Sequence, residues 1–254
     1  MDIMVYSLCL FAVLSQMVEL EFNRNTRSVS EVDVLLGSEM IAKNTGKFGS
    51  ICFVVRRPGW YFCREQALTL SVLTALYSEV FDGYTIFGIV KETDADPEGL
   101  YEFQSKYFNG YPIYCDKSYA FYDALGDRKV GLDFFLNMLN PLSIFSAVCS
   151  TYQRITSKGI DGNVNKGEGF VQGGLLFFNH RGQPMAAYEE ETGEDLRLQD
   201  IISAIYYVQN HYVTEQVQER QRQLENELEL ELQSAMTDKT VPETRPTTPD
   251  SESS

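Results

Sequence analysis

An α/β fold follows from three runs between residues 50 and 90. Ser50-Ile51-Cys52-Phe53-Val54-Val55 is apolar and β-rich, with the length of a buried strand. Leu68, Val72, Ala75, Leu76 and Val80 then recur on one helical face, and Tyr84-Thr85-Ile86-Phe87-Gly88-Ile89-Val90 reads as a second buried strand. A strand, a helical crossover and a second strand make a right-handed parallel unit. In such a sheet, functional groups gather where the strands end, which places the turn at 58–63 and Lys91-Glu92 on one rim.

The turn after the first strand carries the chemistry. Pro58 and Gly59 interrupt the strand, and Cys63 falls where the first helical turn begins, close to backbone N–H groups that lack an intrahelical partner. The partial positive charge of a helix start, with Arg56, Arg57 and Arg64 nearby, predicts a stabilised thiolate and a lowered thiol pKa. The competing reading makes Cys63 a small buried apolar residue, as free cysteines commonly are.

At these residues the chain resembles the peroxiredoxin-like 2 proteins, a branch of the thioredoxin fold related to alkyl hydroperoxide reductase and thiol-specific antioxidant enzymes. The resemblance rests on Arg56-Arg57-Pro58-Gly59, three residues, then Cys63-Arg64-Glu65. It continues through Ile89-Val90-Lys91-Glu92, the run from Phe103 to Gly110, Tyr114-Cys115-Asp116-Lys117 and the glycine-rich block from Gly162 to Gly174. It covers about residues 45 to 210 and implies a thioredoxin-like three-layer α/β/α domain with a mixed central sheet. Proteins of this family commonly carry Cys-x-x-Cys at the turn, whereas here Trp60 stands at the first cysteine position.

By resemblance, Cys63 is the nucleophile, with Arg57, Pro58, Gly59, Trp60 and Arg64 supporting it. The Gln172-Gly173-Gly174 turn then stands where thioredoxins place a proline opposite the active cysteine, although no proline is present here. The implied activity is thiol-dependent redox chemistry with no cofactor, restored by an external thiol such as glutathione or thioredoxin. Two alternatives stay open. One is reduction of lipid endoperoxides, and the other is a non-catalytic binding module in which Trp60 shields or binds.

Composition narrows the partners. The 254 residues are 44% apolar and carry a net charge of −15, which argues against a nucleic-acid partner because such affinity depends on Lys and Arg contacts to phosphates. Cys9, Cys52, Cys63, Cys115 and Cys149 are too sparse for a disulfide framework, and with only His180 and His211 no zinc spacing occurs. A reducing, cytoplasmic setting suits these thiols, with a weakly membrane-associated or organellar one as the alternative.

Four regions are expected in chain order. Residues 1–44 hold an apolar segment from Ile3 to Val18 and a polar lead-in. The segment is shorter than a bilayer span and lacks a basic leader, so it is read as a packed or weakly anchoring helix, with a cleaved signal as the alternative. The thioredoxin-like domain occupies 45–213. Within it, Lys91 is read as a solvated strand-end lysine, with support of a thiolate as the alternative. A helix is expected from Pro97 to Phe108, with Pro97 near N1. Cys115 is read as a strand residue, with a resolving thiol as the alternative, and helix is expected again over 118–125.

Leu132 to Ile155 is aromatic-rich and broken at Asn140-Pro141, giving two helices or a kinked one over the sheet, read as ordinary core material with the lining of an apolar pocket for a lipid-like substrate as the alternative. A strand at 175–178, a hairpin turn at Asn179–Gln183 with His180 in the turn, and a return strand at 185–188 follow. Asp195 to Val213 is an amphipathic helix, with Leu198, Ile201, Ile202, Ile205 and Val208 at helical spacing. Residues 214–236 form an exposed acidic helix and 237–254 a disordered tail, in a stretch from Glu215 that holds −6 of the net charge.

Overall fold

The computed structural model describes residues 26–28, 41, 43–91, 96–126, 128, 150–162, 171–191 and 193–238. The expected N-terminal apolar helix, most of the aromatic-rich segment, most of the glycine-rich block, Cys9, Cys149 and the tail from 239 lie outside these residues.

Six strands form one mixed sheet. They are β1 Thr26–Ser28, β2 Gly49–Val54, β3 Tyr84–Val90, β4 Ile113–Cys115, β5 Gly174–Asn179 and β6 Pro184–Glu189, in the order β1-β6-β5-β2-β3-β4. β2 pairs parallel with β3, from Gly49 opposite Tyr84 to Val54 opposite Ile89, as the strand–helix–strand pattern requires. β4 continues the parallel half, while β5 runs antiparallel to β2, and β6 antiparallel to β5 through the predicted hairpin. The edge strand β1 sits in the lead-in that sequence reading left without structure, where it pairs antiparallel with β6.

β2 is buried at all six positions because it lies mid-sheet with a layer on each face. On one face, Ile51, Phe53 and Val55 meet α1 (Tyr61–Leu76), α6 (Leu198–Asp238) and a helix at 150–157 (α5). On the other, Cys52, Val54, Phe87 and Ile89 pack on α4 (Ala120–Ala124). This is the three-layer α/β/α arrangement, with parallel strands beside an antiparallel hairpin as in a thioredoxin-like sheet. The short α2 (Ser78–Phe81) closes the crossover.

The helix expected from Pro97 to Phe108 exists but changes pitch. α3 (Pro97–Glu102) starts on the Asp96 side chain, which accepts from the Gly99 N–H, and then gives way to a π-helical turn at Phe103–Tyr107. The wider turn lets Phe103, Tyr107 and Phe108 all enter the core. The amphipathic helix is also longer than expected. α6 buries Ile201, Ala204, Ile205 and Val208, then runs without a break into the acidic stretch, where Val217, Leu224, Leu228 and Leu232 are exposed. The chain divides into two compact units, Met1–Tyr212 and Val213–Ser254. Among the described residues, no helix is long and apolar enough to cross a membrane.

Candidate functional site

The antiparallel half of the sheet decides what surrounds the turn. The C-terminal ends of β2, β3, β4 and β6 and the start of β5 share one rim, so residues from five distant stretches meet there. Trp60 is the N-cap of α1 in an extended conformation, which makes Cys63 the third helical residue. The sulfur accepts hydrogen bonds from the backbone N–H groups of Arg57 and Arg56. This is the anion-friendly position that the sequence predicts.

The predicted thiolate does not follow. Cys63 is 1% exposed, and its pKa is pushed up to about 12. Burial is the largest cause, and the neighbouring Glu190 carboxylate adds to it. The two backbone donors and the Arg56 charge oppose the shift and lose. The expected lowering is therefore corrected: a dry pocket penalises a charged sulfur by more than a helix start favours it.

The arginines divide between two tasks. Arg57 and Arg56 lie over the Trp60 ring, at 4.6 and 5.3 Å from its centroid, and Trp60 packs on Phe62 at 5.8 Å. Arg64, expected to support the sulfur, turns away from it. Its Nε donates to the Pro58 carbonyl at 3.0 Å, its Nη1 to the Asp161 carbonyl at 2.9 Å, and its Nη2 pairs with Glu102 at 2.8 Å. At 2% exposure it fixes the Pro58-Gly59 turn rather than the charge at Cys63. Gly59 is buried within that turn, and the Trp60 N–H donates to the Arg57 carbonyl across it at 3.0 Å.

The opposite wall is built by Gly173. A Cβ added there would fall on the Val54 carbonyl oxygen and lie 3.1 Å from the Arg56 nitrogen, so only glycine lets the two backbones approach so closely. Gln172, beside it, donates its backbone N–H to the Arg128 carbonyl at 2.7 Å.

Two groups at the rim, Glu190 and Tyr122, went unrecognised in the sequence. Glu190 follows β6, is 3% exposed, and takes the Gly173 N–H on its carboxylate while its own N–H donates to the Gly173 carbonyl at 3.3 Å. Its Oε1 has no hydrogen-bond partner and lies 3.8 Å from Arg56 Nη1, close enough for ionic attraction only. Burial raises its pKa in spite of Arg56, the Gly173 N–H, Arg128 and Lys91. Tyr122 donates to the Val55 carbonyl at 2.7 Å, and burial raises its pKa, with Cys63 and Glu190 among the contributing charges. Asp116 sets that tyrosine in place by accepting from Ser118 and from the Phe121 N–H at the start of α4. Lys91, read as solvated, is 6% exposed with its ammonium 5.3 Å from the Tyr122 ring centroid, because β3 ends beneath α4.

Among the described cysteines, Cys52, Cys63 and Cys115 are free thiols, and Cys115 is a strand residue whose sulfur donates to the Lys91 carbonyl at 3.4 Å. Among the described residues, no cluster of three or more His, Cys, Asp or Glu is placed to hold a metal ion.

Comparison with known proteins agrees with this architecture. Residues 69–192 match the family described as AhpC/TSA antioxidant enzyme. Peroxiredoxin-like 2A of Danio rerio is 31% identical over 160 residues, covering 62% of this chain and 68% of that one. The Gallus gallus protein of the same name is 30% identical over 177 residues, covering 69% and 70%. Peroxidoxin BcpB from Mycobacterium tuberculosis aligns with 73% of this chain and 92% of its own at 10% identity and a TM-score of 0.38, so the fold assignment rests on the sheet order instead. With a thioredoxin-like sheet, a cysteine on its first strand-to-helix turn and relatives matched over most of the domain, the chain belongs to the peroxiredoxin-like 2 family of antioxidant-type proteins.

Proposed function

We propose that this protein is a single-cysteine thiol redox protein in which Cys63 reacts with a peroxide and is restored by an external thiol. The observation that carries this reading is the placement of the Cys63 sulfur. It sits on the backbone N–H groups of Arg56 and Arg57, at a rim where the charges of Arg56, Lys91 and Glu190 converge. In the resting site the thiol stays protonated and covered, so reaction follows an opening of the turn around Trp60.

Sulfur attack on the peroxide breaks the O–O bond, gives Cys63 sulfenic acid and releases an alcohol or water. Trp60 removes the neighbouring thiol, so an outside thiol, of the glutathione or thioredoxin kind, displaces water to form a mixed disulfide. A second thiol then frees Cys63 and leaves as the disulfide.

A binding module is the second reading, favoured by the seal itself: two guanidiniums lie over an indole, and the thiol beneath is 1% exposed. Peroxide consumption with added glutathione or thioredoxin, together with trapping of sulfenic acid at Cys63, separates the two. Turnover lost in Cys63→Ser supports the redox reading. No trapping and no turnover at any peroxide concentration supports the binding module.

A further inference from the structure

Arg64 is a buried cation one residue past the thiol, and its three side-chain donors end on three separate stretches of chain. Nε donates to the Pro58 carbonyl in the covering turn, Nη1 to the Asp161 carbonyl, and Nη2 pairs with the Glu102 carboxylate at 2.8 Å. Among the described residues, Glu102 is the carboxylate in ion-pair contact with this guanidinium, and its side chain is 40% exposed against 2% for Arg64. Glu102 closes α3, and the π-helical turn that follows places the Tyr107 ring centroid 5.0 Å from the guanidinium. Lys106 joins on the outer side, reaching Glu102 at 3.5 Å and Asp161 at 3.0 Å. We propose that the Arg64–Glu102 ion pair is the latch of the turn over Cys63: while made it holds the turn from Pro58 to Trp60 closed, and when broken it lets that turn lift and expose the thiol.

Burial sets the direction of the effect. A buried guanidinium that loses its carboxylate keeps a large desolvation penalty, which it sheds by swinging out to water. Pro58 then loses the donor that anchors its carbonyl. Across the turn there remain the bond from the Trp60 N–H to the Arg57 carbonyl and the packing of a partly buried indole on the cluster that contains Cys63. An ion pair with one half-exposed member is a weak fastening, which suits a cover that opens locally and recloses while the rest of the domain stays folded. Arg64 is thus a positioning residue that acts on Cys63 through the turn. The latch rests on the redox reading above, which requires the turn to open, but its test uses no peroxide, so failure of one is distinguishable from failure of the other.

Trp60 is the one tryptophan of the chain, so quenching of its fluorescence by acrylamide reports the turn directly. The test pairs that quenching with the rate of Cys63 alkylation by iodoacetamide at pH 7, read by peptide mapping on the full chain. In Glu102→Gln both should rise, alkylation by about threefold or more, the gain expected when one half-exposed ion pair is lost. Buried Cys52 should label at its wild-type rate. Glu98→Gln removes the same charge from an exposed position four residues away on α3 and should leave both readouts at wild-type values. Faster alkylation without greater quenching is an effect of charge on the thiol and overturns the proposal. An unchanged Cys63 rate, an equal rise in Glu98→Gln, or an equal rise at Cys52, which reports loosening of the whole domain, overturns it as well. Should Glu102→Gln not fold, Arg64→Lys decides, since it keeps the charge but offers one nitrogen to three acceptors: a rise in quenching and in Cys63 alkylation supports the latch, and wild-type values overturn it.

Discussion

Cys63 shows two effects of known size in opposition. A helix start is worth about 0.3–2 kcal/mol to a nearby anion, or about one and a half pKa units at the favourable end. Full burial shifts an ionisable group by about 3–5 units, so a thiol 1% exposed is governed by burial. Native Cys63 is therefore expected to alkylate more slowly at pH 7 than half-buried Cys115, and faster than Cys115 only after the turn is opened by denaturant. Timed iodoacetamide labelling with peptide mapping checks the order. At Gly173 the constraint is steric. Gly173→Ala drives a methyl into the Val54 carbonyl and should cost about 1–3 kcal/mol in urea unfolding, as overpacking does. Trp60→Cys places a thiol three residues before Cys63 on the same turn. It should give a protein whose free-thiol count falls by two on oxidation and recovers with dithiothreitol.

Between elements, one tie to α1 is ionic and was invisible in the sequence. Glu65, wholly buried on α1, accepts from Arg154 Nε and Nη2 and from Lys158 Nζ, each at 2.8 Å. Lys158 reaches on to Asp195 at 2.7 Å, and Asp195 accepts from Thr69 at 2.8 Å, so α1, α5 and the lead-in to α6 share one network. Burial alone would raise the Glu65 pKa, but the hydrogen bonds from Arg154 and Lys158 outweigh it and the net shift is downward. A carboxylate depressed on folding stabilises the fold above the ordinary carboxyl value of 4.5, and that stability is lost as pH falls through the lower folded value. Glu65→Gln should cost about 2–3 kcal/mol at pH 7, since its partners are a third exposed and can be rehydrated. The difference from wild type should shrink below pH 4 in parallel urea titrations.

At the scale of the whole molecule, stability lies in the sheet and the two layers that cover it. From Val213 to Ser234, α6 has almost no buried side chain, with Leu224 and Leu228 at 50% and 57% exposure. A chain ending after Val213 should melt within about 2 °C of the full protein, because less than about 1 kcal/mol of packing is removed. A larger drop in a thermal scan would mean that the acidic stretch contributes to the fold. Its removal takes away −6 of the repelling charge and should speed precipitation at low salt, with a smaller effect at high salt where repulsion is screened.

What the sequence determined by itself was local. Apolar run length, helical spacing and the Pro58-Gly59 break fix β2, α1 and β3, and the hairpin from Asn179 to Gln183 is legible from its turn residues. These signals suffice to place Cys63 at a helix start, whereas Gly173 was set opposite it by family resemblance alone. Burial and charge at that site required the tertiary structure. Lys91 looks like any strand-end lysine until α4 covers it, and Glu190 looks like one of three glutamates after a strand. The hairpin did carry a hint, since reversing direction twice returns the end of β6 to the rim of β2, but the side chain that turns inward there depends on register. The sign of the Cys63 pKa shift depended on the same thing: the favourable helix start is a local property, whereas desolvation is the sum of everything packed around the sulfur.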